Sequence, residues 1–341
     1  MTVPSRYQKS ASWFRRCGRS GLRLPAISLG CWHNFGAAGT ASHGATEETP
    51  FHERARELIF TAFDHGITHF DFANNYGPPP GAAEERCGRI LRDLPRGEIV
   101  IASKAGWPMW PGPYGDGGSR KYLVQSCDES LKRLRVDHLD IFYHHRPDPH
   151  TPLEESIEAL DFIVRSGRAL YAGISSYPGA LTEEALRLAE TQSWTRPIIH
   201  QPKYNLFERG IEDGLLPVAT ERQLGLIVFS PLAQGLLTDK YLRGIPSDSR
   251  AANPAGVLKG ESLTPAILTR VAALDAIARD RGQTLAQMAI TWVLRHDLIA
   301  SALIGASRPA QITELAAAAE APPLSAGELA RIETALLQTG M

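Results

Sequence analysis

A rhythm constrains this chain more than any single motif: eight short β-like runs, each followed by a stretch with helical periodicity. The runs are AISLGCW (26–32), THFDFA (68–73), VIASKA (100–105), LDIFYHH (139–145), ALYAGISS (169–176), IIHQPKYN (198–205), GLIVFSPLA (225–233) and SALIGAS (301–307). Between them, apolar residues return at helical spacing. Ala55, Leu58, Ile59, Ala62 and Phe63 share one face within 53–65, and Leu123, Cys127, Leu131 and Leu134 do so within 120–134. Leu153, Ile157, Leu160 and Val164 align over 153–166, and further helices are expected near 84–93, 181–190, 211–222, 265–295 (in two pieces) and 309–319. Strands joined through helices run parallel, and eight such units predict a closed (β/α)8 TIM barrel of the α/β class. No composition break divides residues 1–341, so one domain is expected. A doubly wound sheet fits less well, because no G-x-G-x-x-G turn follows the first run.

The charge balance narrows the possible partners. Lys plus Arg number 36 and Asp plus Glu 37, so neither nucleic acid nor an anionic membrane is an expected partner. Cys17, Cys31, Cys87 and Cys127 form no CxxC or Cys/His cluster, which argues against a disulfide framework and a metal site. Arg15 and Arg16 lack the apolar stretch of an export signal, and no apolar run is long enough to span a bilayer, so a cytoplasmic chain is expected. Residues 12–25 read as a small hairpin plugging one end of the barrel. Long Gly/Pro-rich connections at 106–118 and about 235–264 fall on the opposite, C-terminal face, where barrel enzymes build their sites.

Polar residues sit where strands end. Alternation along THFDFA turns Phe70 and Phe72 outward and Asp71 into the barrel, where a carboxylate without a partner would be costly. The same rule turns Lys104 and His145 inward on the next two strands, and Tyr76 lies just beyond the second. Each alone has a plain structural explanation: a solvated strand-end lysine, a hydrogen-bonded rim histidine, a buried anchoring carboxylate. Together, at matching ends of three adjacent strands, they point to chemistry. Lys104 answers Asp71 and is expected to lower the pKa of the Tyr76 phenol, whose ordinary value of about 10 makes a weak acid. Tyr76 then donates a proton to a carbonyl oxygen that His145 orients. The carbon must gain a hydride, which no side chain supplies, so a nicotinamide is implied.

With these residues in view, the chain resembles the aldo-keto reductases. "FDFANNYG", "IASK", "DIFYHHRPD", "GISSY", "HQPKYN", "FSPLAQGLLTDKY" and "LIGASRPAQITE" occur in that family's order. "WHNFG", "ANNYGPPPG", "MWPGPYG" and "GGSRKYL" are similar to the bacterial branch that reduces L-glyceraldehyde 3-phosphate and methylglyoxal, itself related to potassium-channel β subunits. The resemblance implies Tyr76 as proton donor in a tetrad with Asp71, Lys104 and His145, not His144. It implies NADP as cofactor. Trp32, Asp71, Ser175, Ser176 and Gln201 would lie at the nicotinamide, with Phe229 stacked on its ring; Ser176 stands where the family usually has Asn. Ser230, Leu232, Gln234, Gly235 and Lys240 would clamp the pyrophosphate. Gly305, Ser307, Arg308 and Gln311, at a helix start, would meet the 2′-phosphate, and Glu314 the adenine, although Leu315 replaces the usual Asn.

Trp32, His33, Tyr76, Trp107, Trp110 and His145 are expected to wall the substrate pocket, with Arg146 a candidate for a substrate phosphate. The function expected is NADPH-dependent reduction of small aldehydes, and the resemblance implies a homo-oligomer, a tetramer or larger. Two other readings stand beside it. One is an NADP-holding regulatory module like the channel β subunits, against which His145 speaks. The other is a Schiff-base aldolase on Lys104, which a neighbouring carboxylate disfavours.

Overall fold

The computed structural model describes residues 3–36, 48–246, 249–252 and 258–338. Two short antiparallel strands, β1 (Phe14–Arg16) and β2 (Arg23–Pro25), precede the barrel. The barrel strands are β3 (Ile27–Gly30), β4 (His69–Asp71), β5 (Val100–Ala105), β6 (Leu139–His144), β7 (Ala169–Ser175), β8 (Ile199–Gln201), β9 (Gly225–Phe229) and β10 (Ile299–Ile304). All pairings among them are parallel, and β10 closes the ring by pairing with both β9 and β3. The (β/α)8 expectation holds.

The helices are α1 (Glu48–Asp64), α2 (Ala82–Leu91), α3 (Arg120–Leu134), α4 (Leu153–Arg165), α5 (Gly179–Thr191), α6 (Leu215–Arg222), α7 (Pro265–Asp280), α8 (Leu285–Val293), α9 (Pro309–Ala318) and α10 (Ala326–Leu336). The helix expected over 211–222 starts later, at Leu215; residues 211–214 form a turn, and the Leu216 amide donates back to Ile211 O at 2.8 Å. Helix α10 adds to the expected set; Ser325 and Glu328 form a capping box at its start.

Alternation sorts the side chains into two cores. Phe70 and Phe72 face the helix layer, and complete burial of each contributes about 1.5–3 kcal/mol. The barrel interior is filled by Ala102, Ile141, Tyr143, Ile199, Ile227, Ala300 and Leu303, and the hairpin inserts Cys17 and Leu24 among them. The plug is docked at the start of β9. Arg19 donates its amide to Gln223 O at 3.0 Å, and a Cβ on Gly18, whose φ is +54°, would sit 2.0 Å from that same oxygen. With the N-terminal end sealed, the C-terminal face is left to carry the site. Among the described residues, no helix is long and apolar enough to cross a membrane.

Candidate active site

Asp71 ends β4, Lys104 is the penultimate residue of β5, and His145 directly follows β6. Parallel register sets them side by side: the Phe72 amide donates to Ala102 O, the Asn74 amide to Lys104 O, and the His145 amide to Ala105 O. Lys104 Nζ lies 2.5 Å from Asp71 Oδ2 and 2.6 Å from Phe72 O, with both side chains fully buried. Gln201 Nε2 donates to Asp71 Oδ1 at 3.0 Å, so each carboxylate oxygen has a donor.

Tyr76 stands on the turn after β4. Asn74 anchors that turn, donating through Nδ2 to Tyr122 Oη at 2.9 Å and Ser126 Oγ at 3.1 Å. The Lys104 ammonium lies 4.9 Å from the Tyr76 ring centroid, and the His145 ring meets Tyr76 edge-on at 5.9 Å. His144 turns the other way, its Nδ1 2.7 Å from Tyr177 Oη. Gly106, with φ +151°, lets β5 pass close to His145: a Cβ there would lie 3.1 Å from the His145 Cβ.

The electrostatics correct one expectation. Burial raises the Tyr76 pKa above the ordinary phenol value, and the opposing pull of Lys104 does not offset it. The phenol is therefore fully protonated at neutral pH, as a proton donor must be. Burial also works against the Lys104 ammonium, but Asp71 and Tyr76 outweigh it and the pKa lies above the usual lysine value. His145 is held well below the ordinary histidine value by burial, then by the charges of Lys104 and Arg146 and by His144, so it is a neutral ring. Its Nδ1 is buried and has no hydrogen-bond partner among the described residues.

A cleft of about 900 Å³ opens from Tyr76 and His145 across the C-terminal face. Trp32, His33 and Trp107 stand at its mouth, with Trp32 and Trp107 each about two-fifths exposed (38% and 42%). Asp71, Ser176, Gln201 and Phe229 line it from the strand ends, then Ser230, Leu232, Gln234, Gly235 and Lys240. Gly305, Ser307, Arg308 and Gln311 line the part formed by the end of β10 and the start of α9. Ser176, Ser230 and Gln234 have φ values of 60°, 54° and 60°. Such left-handed non-glycine backbone costs about 1–3 kcal/mol per residue and concentrates at ligand sites.

Other expected contacts lie elsewhere. Lys104 sits behind Asp71 and does not reach the cleft. Ser175 is buried and donates to Gln201 O at 2.8 Å, supporting the wall from outside. Glu314 accepts from Thr284 Oγ1 at 2.7 Å and joins α8 to α9. Trp110 packs on Tyr122, with ring centroids 5.5 Å apart. Arg146 is drawn outward by Gly106 O at 2.7 Å and Asp116 at 3.1 Å, its guanidinium 3.8 Å over the Trp107 ring. The amides of Ser307 and Arg308 are already taken by Gln311 Oε1, at 2.8 and 3.2 Å.

Conversely, Gly30, Asn34, Arg54, Asn75, Thr238, Tyr241, Leu303 and Ile304 line the cleft in addition to the residues that the sequence points to. Gly30, Leu303 and Ile304 follow from strand ends beside those already named; Arg54 carries no local signal. Among the described lining residues Asp71 is the one carboxylate, against Arg54, Lys240 and Arg308.

Comparison with known proteins agrees with this architecture. The Aldo/keto reductase family model matches residues 27–336. The chain is 49% identical over 338 residues to an L-glyceraldehyde 3-phosphate reductase of Escherichia coli (strain K12), covering 97% of this chain and 93% of that one. It is 38% identical over 316 residues to a probable voltage-gated potassium channel subunit beta of Arabidopsis thaliana, covering 91% of this chain and 92% of that one. A fully buried carboxylate–ammonium pair, a phenol and a neutral imidazole at the head of a deep cleft, in a barrel matched from its first barrel strand into its last helix, lead to one conclusion: this chain belongs to the aldo/keto reductase family and is an oxidoreductase that works with a nicotinamide cofactor.

Proposed function

We propose that the chain reduces small aldehydes, methylglyoxal and L-glyceraldehyde 3-phosphate among them, using NADPH and Tyr76 as proton donor. One observation carries this reading: Tyr76 and His145 face the same cleft while the Lys104–Asp71 pair is buried directly behind them.

The residues present suit a dinucleotide. Phe229 offers a ring at the tetrad end, Gln201 is fixed by Asp71, and the left-handed turn at 230–235 borders the cleft together with Lys240 and Arg308. When bound, a reduced nicotinamide would supply hydride to the carbonyl carbon. The protein supplies the rest. His145, neutral, donates a hydrogen bond to the carbonyl oxygen and orients it. Tyr76 gives its proton to that oxygen as negative charge develops. Lys104 stabilises the resulting phenolate, and Asp71 keeps the ammonium charged and aimed. Because that ammonium is held charged, Lys104 is a poor nucleophile, which disfavours the aldolase reading.

The likeness to potassium-channel β subunits carries a second reading, a cofactor-holding module with little turnover. Steady-state loss of nicotinamide absorbance with NADPH and methylglyoxal separates the two. Sustained turnover supports the reductase; tight NADPH binding with no turnover on a panel of aldehydes rejects it in favour of the module.

A further inference from the structure

Arg54 is the single described residue of α1 that lines the cleft. Helix α1 packs beside α9, and the two are pinned where His65 Nε2 lies 3.0 Å from Thr313 Oγ1. Both helices descend from the C-terminal face, so their heights can be compared. At about 1.5 Å per residue, Arg54 stands roughly 16 Å above His65, whereas Arg308 stands roughly 8 Å above Thr313. Helix α1 therefore overhangs the start of α9 by more than a turn, and Arg54 lines the same cleft as Ser307 and Arg308.

The amides of Ser307 and Arg308 at that helix start are engaged by Gln311 Oε1. A phosphate monoester arriving there must be neutralised mainly by side chains. Arg54 is available for this. Its partner is Glu57 on the next turn of the same helix, 2.9 Å away, with both side chains well exposed. Pairs of that kind are weak, whereas a phosphate dianion matches the guanidinium fork in charge and geometry.

We propose that Arg54 acts with Arg308 as a second guanidinium for the 2′-phosphate of the cofactor's adenosine half. Selection of NADP over NAD is then set by α1 as well as by α9. This inference rests on the reading of the cleft as an NADP site.

Fluorescence titrations with NADPH and NADH test it, on the native protein and on Arg54→Ala and Arg308→Ala. Loss of one charge-assisted contact predicts about tenfold weaker NADPH binding by Arg54→Ala. NADH affinity should stay unchanged, which also shows that the variant is folded. The salt dependence of NADPH binding should become shallower in the same variant. An unchanged NADPH-to-NADH ratio in Arg54→Ala, with the ratio reduced in Arg308→Ala, overturns the role of Arg54 and leaves the NADP reading standing. Equal affinity of the native protein for both cofactors overturns that reading and this inference with it. If Arg54→Ala leaves both affinities intact but raises KM for a phosphorylated aldehyde alone, Arg54 serves the substrate and the cofactor assignment fails.

Discussion

Lys104 Nζ lies 2.5 Å from Asp71 Oδ2, with neither side chain exposed to solvent. The pair is closed on itself. Gln201 takes the second carboxylate oxygen, and Phe72 O takes a second ammonium proton. Such a pair specifies geometry more than it stabilises, because desolvating two charges offsets much of their attraction.

Removing one partner exposes that imbalance. Lys104→Met leaves the Asp71 carboxylate buried without its cation and should destabilise the fold by about 3–5 kcal/mol. The double variant Lys104→Met/Asp71→Asn should regain a large part of the loss. Urea unfolding midpoints of the native, single and double variants decide it; equal losses in both variants would mean that the buried charge is not the cause.

Buried histidines set the acid limit. Burial brings His69 and His144 down to about 4 and His200 to about 3, and it holds His145 well below its ordinary value. Each folded pKa lies below the unfolded value of about 6.5, so the unfolded chain binds more protons as pH falls. Stability is therefore intact above about pH 6.5 and declines between about pH 6.5 and 4. Each histidine contributes a slope on the order of 1.4 kcal/mol per pH unit there. Urea midpoints measured from pH 7 to pH 5 should fall, and His200→Gln should make the fall shallower. A flat profile would show that these rings find proton-accepting partners on titration.

Gly106 is where the strand end makes room for His145. Its φ of +151° and the 3.1 Å that would separate an alanine Cβ here from the His145 Cβ predict that Gly106→Ala displaces the imidazole. A contact of that length is relieved by a shift of a few tenths of an ångström; since a misplacement of about 1 Å costs about 10²-fold in rate, a loss on the order of tenfold is expected. Steady-state kinetics should show kcat falling by that order, with cofactor affinity unchanged. An Ala variant with native kcat would remove His145 from the groups that orient the carbonyl.

Arg146 is held away from the cleft by Asp116, Gly106 O and the Trp107 ring. Arg146→Ala should therefore leave KM for L-glyceraldehyde 3-phosphate within about threefold, less than the tenfold that loss of a charged contact of about 1.4 kcal/mol would bring. A rise well beyond tenfold, confined to the phosphorylated substrate, would show that the side chain swings inward on binding.

The eightfold rhythm and strand alternation make the barrel and the inward placement of Asp71, Lys104 and His145 legible, because both depend on local periodicity. Side chains on loops are not legible in this way. Trp110 and Arg146 take their directions from Tyr122 on α3 and Asp116 on the loop before it, contacts that strand alternation does not set. Glu314 turns to Thr284 on α8, and Gln311 uses its amide oxygen to cap its own helix. Arg54 enters the cleft because α1 rises above α9, a relation between helix lengths that no motif carries. The sign of the Tyr76 shift also needs the structure, since the chain alone shows the nearby cation but not the extent of burial.

The most direct test of the central claim compares native protein with Tyr76→Phe for NADPH binding and for NADPH oxidation by methylglyoxal. Loss of one general acid predicts a rate lower by about 10²–10⁴-fold with cofactor affinity unchanged. A variant that retains most of the native rate would contradict the assignment of Tyr76 as the proton donor.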